Sequence, residues 1–481
     1  MFNKAHKPGG DQLRFNTTSA LDELEMNVTF VPETNCYYIF SSNEESGVPF
    51  SVNVSAWGLP AGSPFLLEEV SEDYYGTVRR WGVIGDDQIL RFDPDDLDDV
   101  DIVHPAETTF LITVPAAPIQ TEELITASFD STVTDGTNAS TSFSTAETLL
   151  ARNDPDSRDG RSASLIQFEL PLIYPPDIQL AVIELEGRHQ LVDPETDQTA
   201  IQAHLYALDD DSWADNGEVT WATAPNLKQG VASGALIENR YIADQGESAY
   251  LQGQLVFNRN DYRRRMVEVT PFLKEQRDLK ASFLISQDPR WDLDISTCDE
   301  DGDCLVGDTQ LDGLEIRSVE GGSGPQLRIV RLLDSDQDGI SDEAEVQTFN
   351  TNPNLADADG DNLNDAEELL RHQTDPGNSD SDQDGFLDGD EVIAGTDPLS
   401  QSSFFTISEI TRLENGDVSL SWQSVAGRTY RIYRSTTLDE GDWGELVGDI
   451  SGDGNVLEFV DTPTDDDKVF YRLAVGMSSE N

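Results

Sequence analysis

Three acidic runs in the chain share one spacing. In the first, Asp334, Asp336 and Asp338 alternate with other residues, and Ile340, Asp342 and Glu345 follow at positions seven, nine and twelve of the same run. Asp357, Asp359, Asp361, Leu363, Asp365 and Glu368 repeat the pattern, and Asp380, Asp382, Asp384, Phe386, Asp388 and Glu391 repeat it again, each run starting 23 residues after the last. Carboxylates at alternate positions of a tight turn converge on one point. That arrangement suits a hard cation that takes about six to eight oxygens, and calcium is the expected cofactor. Position seven would add its backbone carbonyl, position nine a carboxylate acting directly or through water, and the glutamate both of its oxygens. Position six needs a sharp turn. Gly339 and Gly385 supply it in the outer loops, and Asn362, which tolerates the left-handed conformation, supplies it in the middle one.

Between Asp334 and Ser400 there are twenty acidic residues and one basic residue, Arg371. Like charge at this density opposes compaction unless cations neutralise it. Paired helix–loop–helix hands do not fit. Eleven residues separate Glu345 from Asp357, and Asn352-Pro353 interrupts them; Asp375-Pro376 interrupts the next interval. The segment resembles bacterial thrombospondin type 3 repeats, including the endings Thr351–Pro353, Thr374–Pro376 and Gly395–Pro398. The resemblance implies a calcium-stiffened spacer with little regular secondary structure.

The elements around this segment read as all-β. The chain has 481 residues, enough for several domains, and its apolar residues come in short runs broken by Gly, Pro, Asn and Asp. A formal net charge of -63 sets it against nucleic acid and anionic membranes. No apolar run is long enough to span a membrane. Met1 to Gly10 carries basic residues but no apolar stretch of signal-peptide type, so a secreted chain of this kind is expected to be the C-terminal part of a longer protein. Of three cysteines, Cys298 and Cys304 flank a short acidic stretch and are expected to form a disulfide across a hairpin loop. Cys36 lies in an apolar strand-like run and is expected to be buried.

Residues 121–332 alternate in runs such as Ser164–Leu170, Gln179–Leu185 and Gln202–Leu208, the period of antiparallel strands. The order Arg161, Phe168–Pro171, Trp213, Thr220-Trp221, Ala224-Pro225, Val269-Thr270, Ser318, Glu320 and Pro325–Leu327 resembles the DNRLRE-type carbohydrate-binding module. The resemblance implies a jelly-roll β-sandwich from secreted polysaccharide-degrading proteins, some of which bind alginate. Here Val319 stands where that family usually has Arg, and the acidic cysteine loop is inserted. Trp213 and Trp221 are expected in the core. Neutral sugars stack on aromatic faces, whereas uronate or sulfated chains need basic residues. Arg152, Arg158, Arg161, Arg259, Arg263, Arg264 and Arg265 stand out against the acidic background as candidate contacts for an anionic polysaccharide, alginate or a marine galactan. The alternative is that they pair with local Asp and Glu.

Residues 1–117 read as a small β-sandwich. Its Gly76–Val78 and Pro105–Pro115 stretches are similar to the accessory sandwich of agarase- and porphyranase-like glycoside hydrolases, which would place a catalytic domain upstream. Residues 402–481 alternate in four runs and resemble a fibronectin type III-like module, with Trp422 and Tyr471 in its core. The four expected modules are therefore 1–117, 121–332, 334–400 and 402–481. No nucleophile, zinc or nucleotide motif is present, and the five histidines are scattered. The leading expectation is a secreted, non-catalytic polysaccharide-binding protein. The alternatives are an extracellular adhesion or structural protein without a defined glycan, and a glycoside hydrolase or polysaccharide lyase with an unrecognised pair of carboxylates or a Tyr or His base.

Overall fold

The computed structural model describes residues 25–31, 36–42, 50–55, 58–70, 77–92, 107–113, 119–134, 136–152, 162–190, 201–215, 217–224, 249–257, 262–276, 279–287, 313–464 and 468–477. Two compact units are present, Met1–Leu333 and Asp334–Asn481. Cys298 and Cys304 lie outside the described residues, as do Arg158, Arg161 and Arg259.

The first unit begins with β1 (Glu25–Val31), β2 (Cys36–Ser42), β3 (Phe50–Asn53), β4 (Pro64–Val70), β5 (Thr77–Val83), β6 (Ile89–Phe92) and β7 (Glu107–Thr113). An antiparallel sheet runs in the order β1-β2-β7-β4-β5, and β3 pairs with β6 apart from it. The sequence pattern misses β4, because Glu68-Glu69 breaks its alternation.

Next come β8 (Ile119–Thr126), β9 (Phe129–Thr134), β10 (Thr148–Ala151), β11 (Ser162–Glu169), β12 (Ile178–Gln190), β13 (Ile201–Leu208), β14 (Ala249–Phe257), β15 (Arg263–Glu268), β16 (Lys280–Ser286), β17 (Gly313–Arg317) and β18 (Gln326–Leu332). One sheet runs β10-β17-β12-β18-β8, with β15 also paired to β12, and the other runs β14-β13-β16-β11-β9. The period of two sends Ile183 and Leu185 of β12 inward and Glu184 and Glu186 outward. Facing them across the core are Leu205 and Ala207 of β13 and Phe283 and Ile285 of β16. Phe283 makes edge contacts with Phe168 at 6.0 Å and with Phe272 at 5.5 Å. Phe272 comes from α1 (Thr270–Glu275), which Thr270 docks by accepting the Ala181 N–H on Oγ1 at 2.8 Å.

Each sheet is also covered on part of its outer face. On the first, Leu180 and Val182 of β12, Met266 and Val330 pack against Leu66 and Trp81 of the N-terminal sheet. On the second, Leu165, Tyr206, Leu208 and Leu284 are covered by the segment carrying Trp213, Val219 and Trp221. Trp213 donates its Nε1–H to Ser282 Oγ at 2.8 Å and meets Phe129 edge-on at 5.6 Å. Both tryptophans are therefore core residues of a second hydrophobic cluster, as expected.

In the second unit, the acidic segment precedes β19 (Glu409–Arg412), β20 (Val418–Gln423), β21 (Arg428–Ser435), β22 (Gly444–Ser451), β23 (Val456–Asp461) and β24 (Phe470–Met477). Sheets β19-β20-β23 and β22-β21-β24 enclose Val418, Leu420, Trp422, Tyr430 and Ile432. Tyr471, expected in this core, is half-buried; it packs against the cluster and donates its hydroxyl to Asp461 at 2.8 Å.

The acidic segment departs from the expectation of little regular structure, because each loop runs into a short helix. These helices are α2 (Asp342–Ala344), α3 (Asp365–Glu367) and α4 (Asp388–Ala394). The first two continue as π turns over Glu345–Phe349 and Glu368–His372. Position nine starts each helix, so the carboxylate that closes the loop sits in the first turn, where exposed backbone N–H groups favour negative charge.

Candidate functional site

The three loops are built by their own carboxylates. Asp334 accepts the Gln337 N–H on Oδ1 at 2.7 Å and the Gly339 N–H on Oδ2 at 3.1 Å. Asp357 does the same for Gly360 and Asn362, at 2.7 and 3.0 Å. At position five, Asp338, Asp361 and Asp384 each accept the N–H two residues on, at 2.8, 2.9 and 2.9 Å. At position nine, Asp342, Asp365 and Asp388 accept the N–H of position two, at 2.8, 2.9 and 2.9 Å, and so close the loop.

The expected left-handed residue at position six is present, with φ of 111° at Gly339, 80° at Asn362 and 98° at Gly385. A second one at position four has no marker in two of the three loops. It is Gln337 (φ 65°), Gly360 (φ 81°) or Gln383 (φ 64°). The two outer loops thus strain a glutamine backbone so that two N–H groups reach the position-one carboxylate.

These bonds leave other oxygens facing inward. Both carboxylate oxygens of Asp336 and of Asp359 are buried without a hydrogen-bond partner, as are Glu345 Oε2, Glu368 Oε2 and Glu391 Oε2. In each loop, oxygens from positions one, three and five lie within 4.8 Å of one another. Such buried groups carry a large desolvation cost. Burial pushes Glu345 and Glu368 up to about 8, Asp338 and Glu391 up to about 7 and Asp359 up to about 6, and neighbouring carboxylates add to the rise. A convergent, all-oxygen, anionic donor set of this kind fits a hard divalent cation. Bound there, the ion would supply charge neutralisation and cross-linking of the loop.

The second and third loops also touch. Asp361 Oδ2 accepts the N–H of Gly389, the second residue of α4, at 2.9 Å, and a β-carbon on Gly389 would lie 2.2 Å from the Asp361 backbone oxygen. Gly389→Ala is therefore expected to lower cation affinity at the second loop by about tenfold without altering any of its side chains. A metal titration in which the loss disappears in an Asp357→Asn background would assign the effect to that loop. From α4 the segment is tied onward to the terminal sandwich, where Arg428 donates to the backbone oxygens of Ile393 and Val392 at 2.6 and 3.1 Å.

The candidate arginines do not gather into one patch among the described residues. Arg152 bridges to Ser162. Arg264 points outward and pairs with Glu184 at 3.4 Å. Arg265 points inward, buried, with its guanidinium 5.2 Å from the Phe257 ring centroid and Nη1 donating to the Arg264 backbone oxygen. Adjacent strand positions face opposite sides of a sheet, so Arg263, Arg264 and Arg265 cannot act as one surface.

Another cluster lies on the outer face of β12 and β17. Arg188 and Arg317 sit 4.8 and 4.0 Å from the Tyr262 ring centroid, Arg188 pairs with Glu315 at 2.8 Å, and Arg317 pairs with Glu186 at 3.0 Å. Its members come from residues 186 to 317, so no sequence window could have revealed it.

Comparison with known proteins bears on both regions. Residues 121–241 match the model of carbohydrate-binding module family 96. Residues 334–356 and 380–401, which hold the first and third loops, match the bacterial TSP3 repeat. No curated protein matches the chain. A β-porphyranase of glycoside hydrolase family 86 from the human gut bacterium Bacteroides plebeius is weakly similar, with 10% identity and a TM-score of 0.17 over 67% of this chain. This chain spans 38% of that enzyme's length. The BSP domain of a biofilm associated protein is similar at 8% identity and a TM-score of 0.11, covering 96% of this chain and 83% of its own. Among the described residues, no helix is long and apolar enough to cross a membrane.

Proposed function

We propose that this chain is a secreted polysaccharide-binding protein, or the binding tail of a larger polysaccharide-degrading enzyme, in which residues 334–400 form a calcium-stiffened spacer. In this reading the modules lie at 1–117, 121–332, 334–400 and 402–481. The observation that carries the reading is the carbohydrate-binding family match over residues 121–241, on a chain that folds there as a two-sheet β-sandwich. The acidic loops support calcium by their all-oxygen donor sets and by the TSP3 matches.

For the glycan contact, the Arg188–Tyr262–Arg317 cluster fits better than the run Arg263–Arg265. Guanidinium groups suit the carboxylate of a uronate, and the flanking Glu186 and Glu315 can accept sugar hydroxyls. Such a surface favours alginate or a marine galactan. Affinity electrophoresis against alginate, agarose, porphyran and a neutral glucan, with calcium present, tests this. Retardation by one acidic or galactan polymer, lost in the Arg188→Ala/Arg317→Ala variant at unchanged thermal stability, is the expected result. Arg265→Ala should instead lower stability, because it removes packing on Phe257. Retardation by none of the polymers would favour an adhesion or structural role, and release of oligosaccharide from any of them would favour an enzyme.

A further inference from the structure

Each position-twelve glutamate is followed by a threonine that reaches back to it twice. The Thr351 N–H donates to the Glu345 backbone oxygen at 3.1 Å, and its hydroxyl donates to Glu345 Oε1 at 3.3 Å. For Thr374 and Glu368 the two distances are both 3.2 Å. For Thr396 and Glu391 they are 2.9 and 3.1 Å. The spacing is not constant. The first two threonines stand six residues after their glutamate, and the third stands five. The π turns over Glu345–Phe349 and Glu368–His372 take up the extra residue, whereas α4 stays α-helical. A left-handed residue precedes every threonine: Asn350 and Gln373 at φ 61°, and Gly395 at φ 78°. Two backbone solutions therefore deliver the hydroxyl to the same carboxylate oxygen.

The other oxygen of each glutamate, Oε2, is buried without a hydrogen-bond partner. A carboxylate oxygen can accept a hydrogen bond on one lone pair and still ligate a cation through the other. Holding Oε1 in place thus fixes the rotation of the whole carboxylate and keeps both oxygens presented together. Calcium accepts a two-oxygen carboxylate at its longer ligand distance. Magnesium demands a tighter octahedron, into which such a carboxylate fits only by swinging to one oxygen.

We propose that Thr351, Thr374 and Thr396 are positioning residues that set the preference of the three loops for calcium over magnesium, by pinning each glutamate in its two-oxygen orientation. The inference rests on the calcium reading of the loops.

Titration of the full chain with calcium and, separately, magnesium after chelator treatment tests it. Thr374→Val keeps the shape and the N–H bond to the Glu368 backbone while deleting the hydroxyl. It should lower calcium affinity at one site by about tenfold and change magnesium affinity much less, so that the selectivity ratio falls. Thr374→Ser should restore the ratio, and the triple valine variant should show the loss at all three sites. A wild-type ratio in Thr374→Val, or an equal loss for both ions, would overturn the positioning role. A wild-type chain that binds no calcium would overturn the calcium reading itself and the inference with it.

Discussion

Chelating calcium at pH 8 should open residues 334–400 to protease, with the first cuts in the loops and the sandwich of residues 121–332 holding until later. A ligand that binds only the folded form stabilises it by about 4 kcal/mol when present at about a thousand times its Kd. In this segment there is little else to replace that contribution, because twenty acidic residues face one basic residue. The effect should depend on pH. Without the ion, Glu345 and Glu368 hold their protons up to about 8, Asp338 and Glu391 up to about 7, and Asp359 up to about 6. The unfolded chain releases such protons near about 4. Raised carboxyls favour the cation-free fold at acid pH. Their contribution is complete below about pH 4 and is lost as the pH rises through 6 to 8. Calcium needs the same groups ionised, so its own contribution grows over that window. Limited proteolysis with and without chelator should therefore differ little at pH 5 and strongly at pH 8. Because Arg428 ties the end of α4 to the terminal sandwich, cuts in residues 402–481 should follow soon after those in the loops. Equal chelator sensitivity at both pH values would separate the raised carboxyls from ion binding.

Trp221→Ala should destabilise the first unit by about 3–5 kcal/mol, the cost of removing a large buried aromatic side chain. Only 1% of Trp221 is exposed, and it closes the cluster of Leu165, Tyr206, Leu208 and Leu284 over the outer face of the second sheet. A denaturant midpoint shift of that size, with calcium stoichiometry unchanged, marks it as core. If stability held while glycan retardation disappeared, Trp221 would instead be a sugar platform. The distinction matters for any binding module, because exposed tryptophans are the usual stacking surface for neutral sugars and buried ones are not.

The division between what was legible in the sequence and what was not follows the range of the interactions. The loops were legible because nearly all their bonds close within twelve residues: position one to positions four and six in the first two loops and to five and six in the third, five to seven, and nine to two. Residue type at fixed spacing encodes such contacts directly. The strands were legible where one face is buried and alternation survives, as in β20, and illegible in β4, where paired glutamates interrupt it. The left-handed glutamines were hidden because their strain is imposed by hydrogen bonds to Asp334 and Asp380 rather than by their own preference. The short helices were hidden as well, since two of them hold a π turn that no apolar periodicity marks.

What only the tertiary structure decided is which distant residues share a surface. It sent Arg265 inward to Phe257 and Arg264 outward to Glu184, dividing a run that looks continuous in sequence. It gathered Arg188, Tyr262 and Arg317 onto one face and laid Leu66 and Trp81 over another part of that sheet. Gly389 likewise became a support for Asp361 in a different loop. The sequence by itself determined the oxygen-donor pattern of the three acidic loops, because each loop is a local object. Which residues surround Tyr262 was decided by strand register and sheet stacking, which join residues as far apart as Arg188 and Arg317 and leave no mark on local spacing.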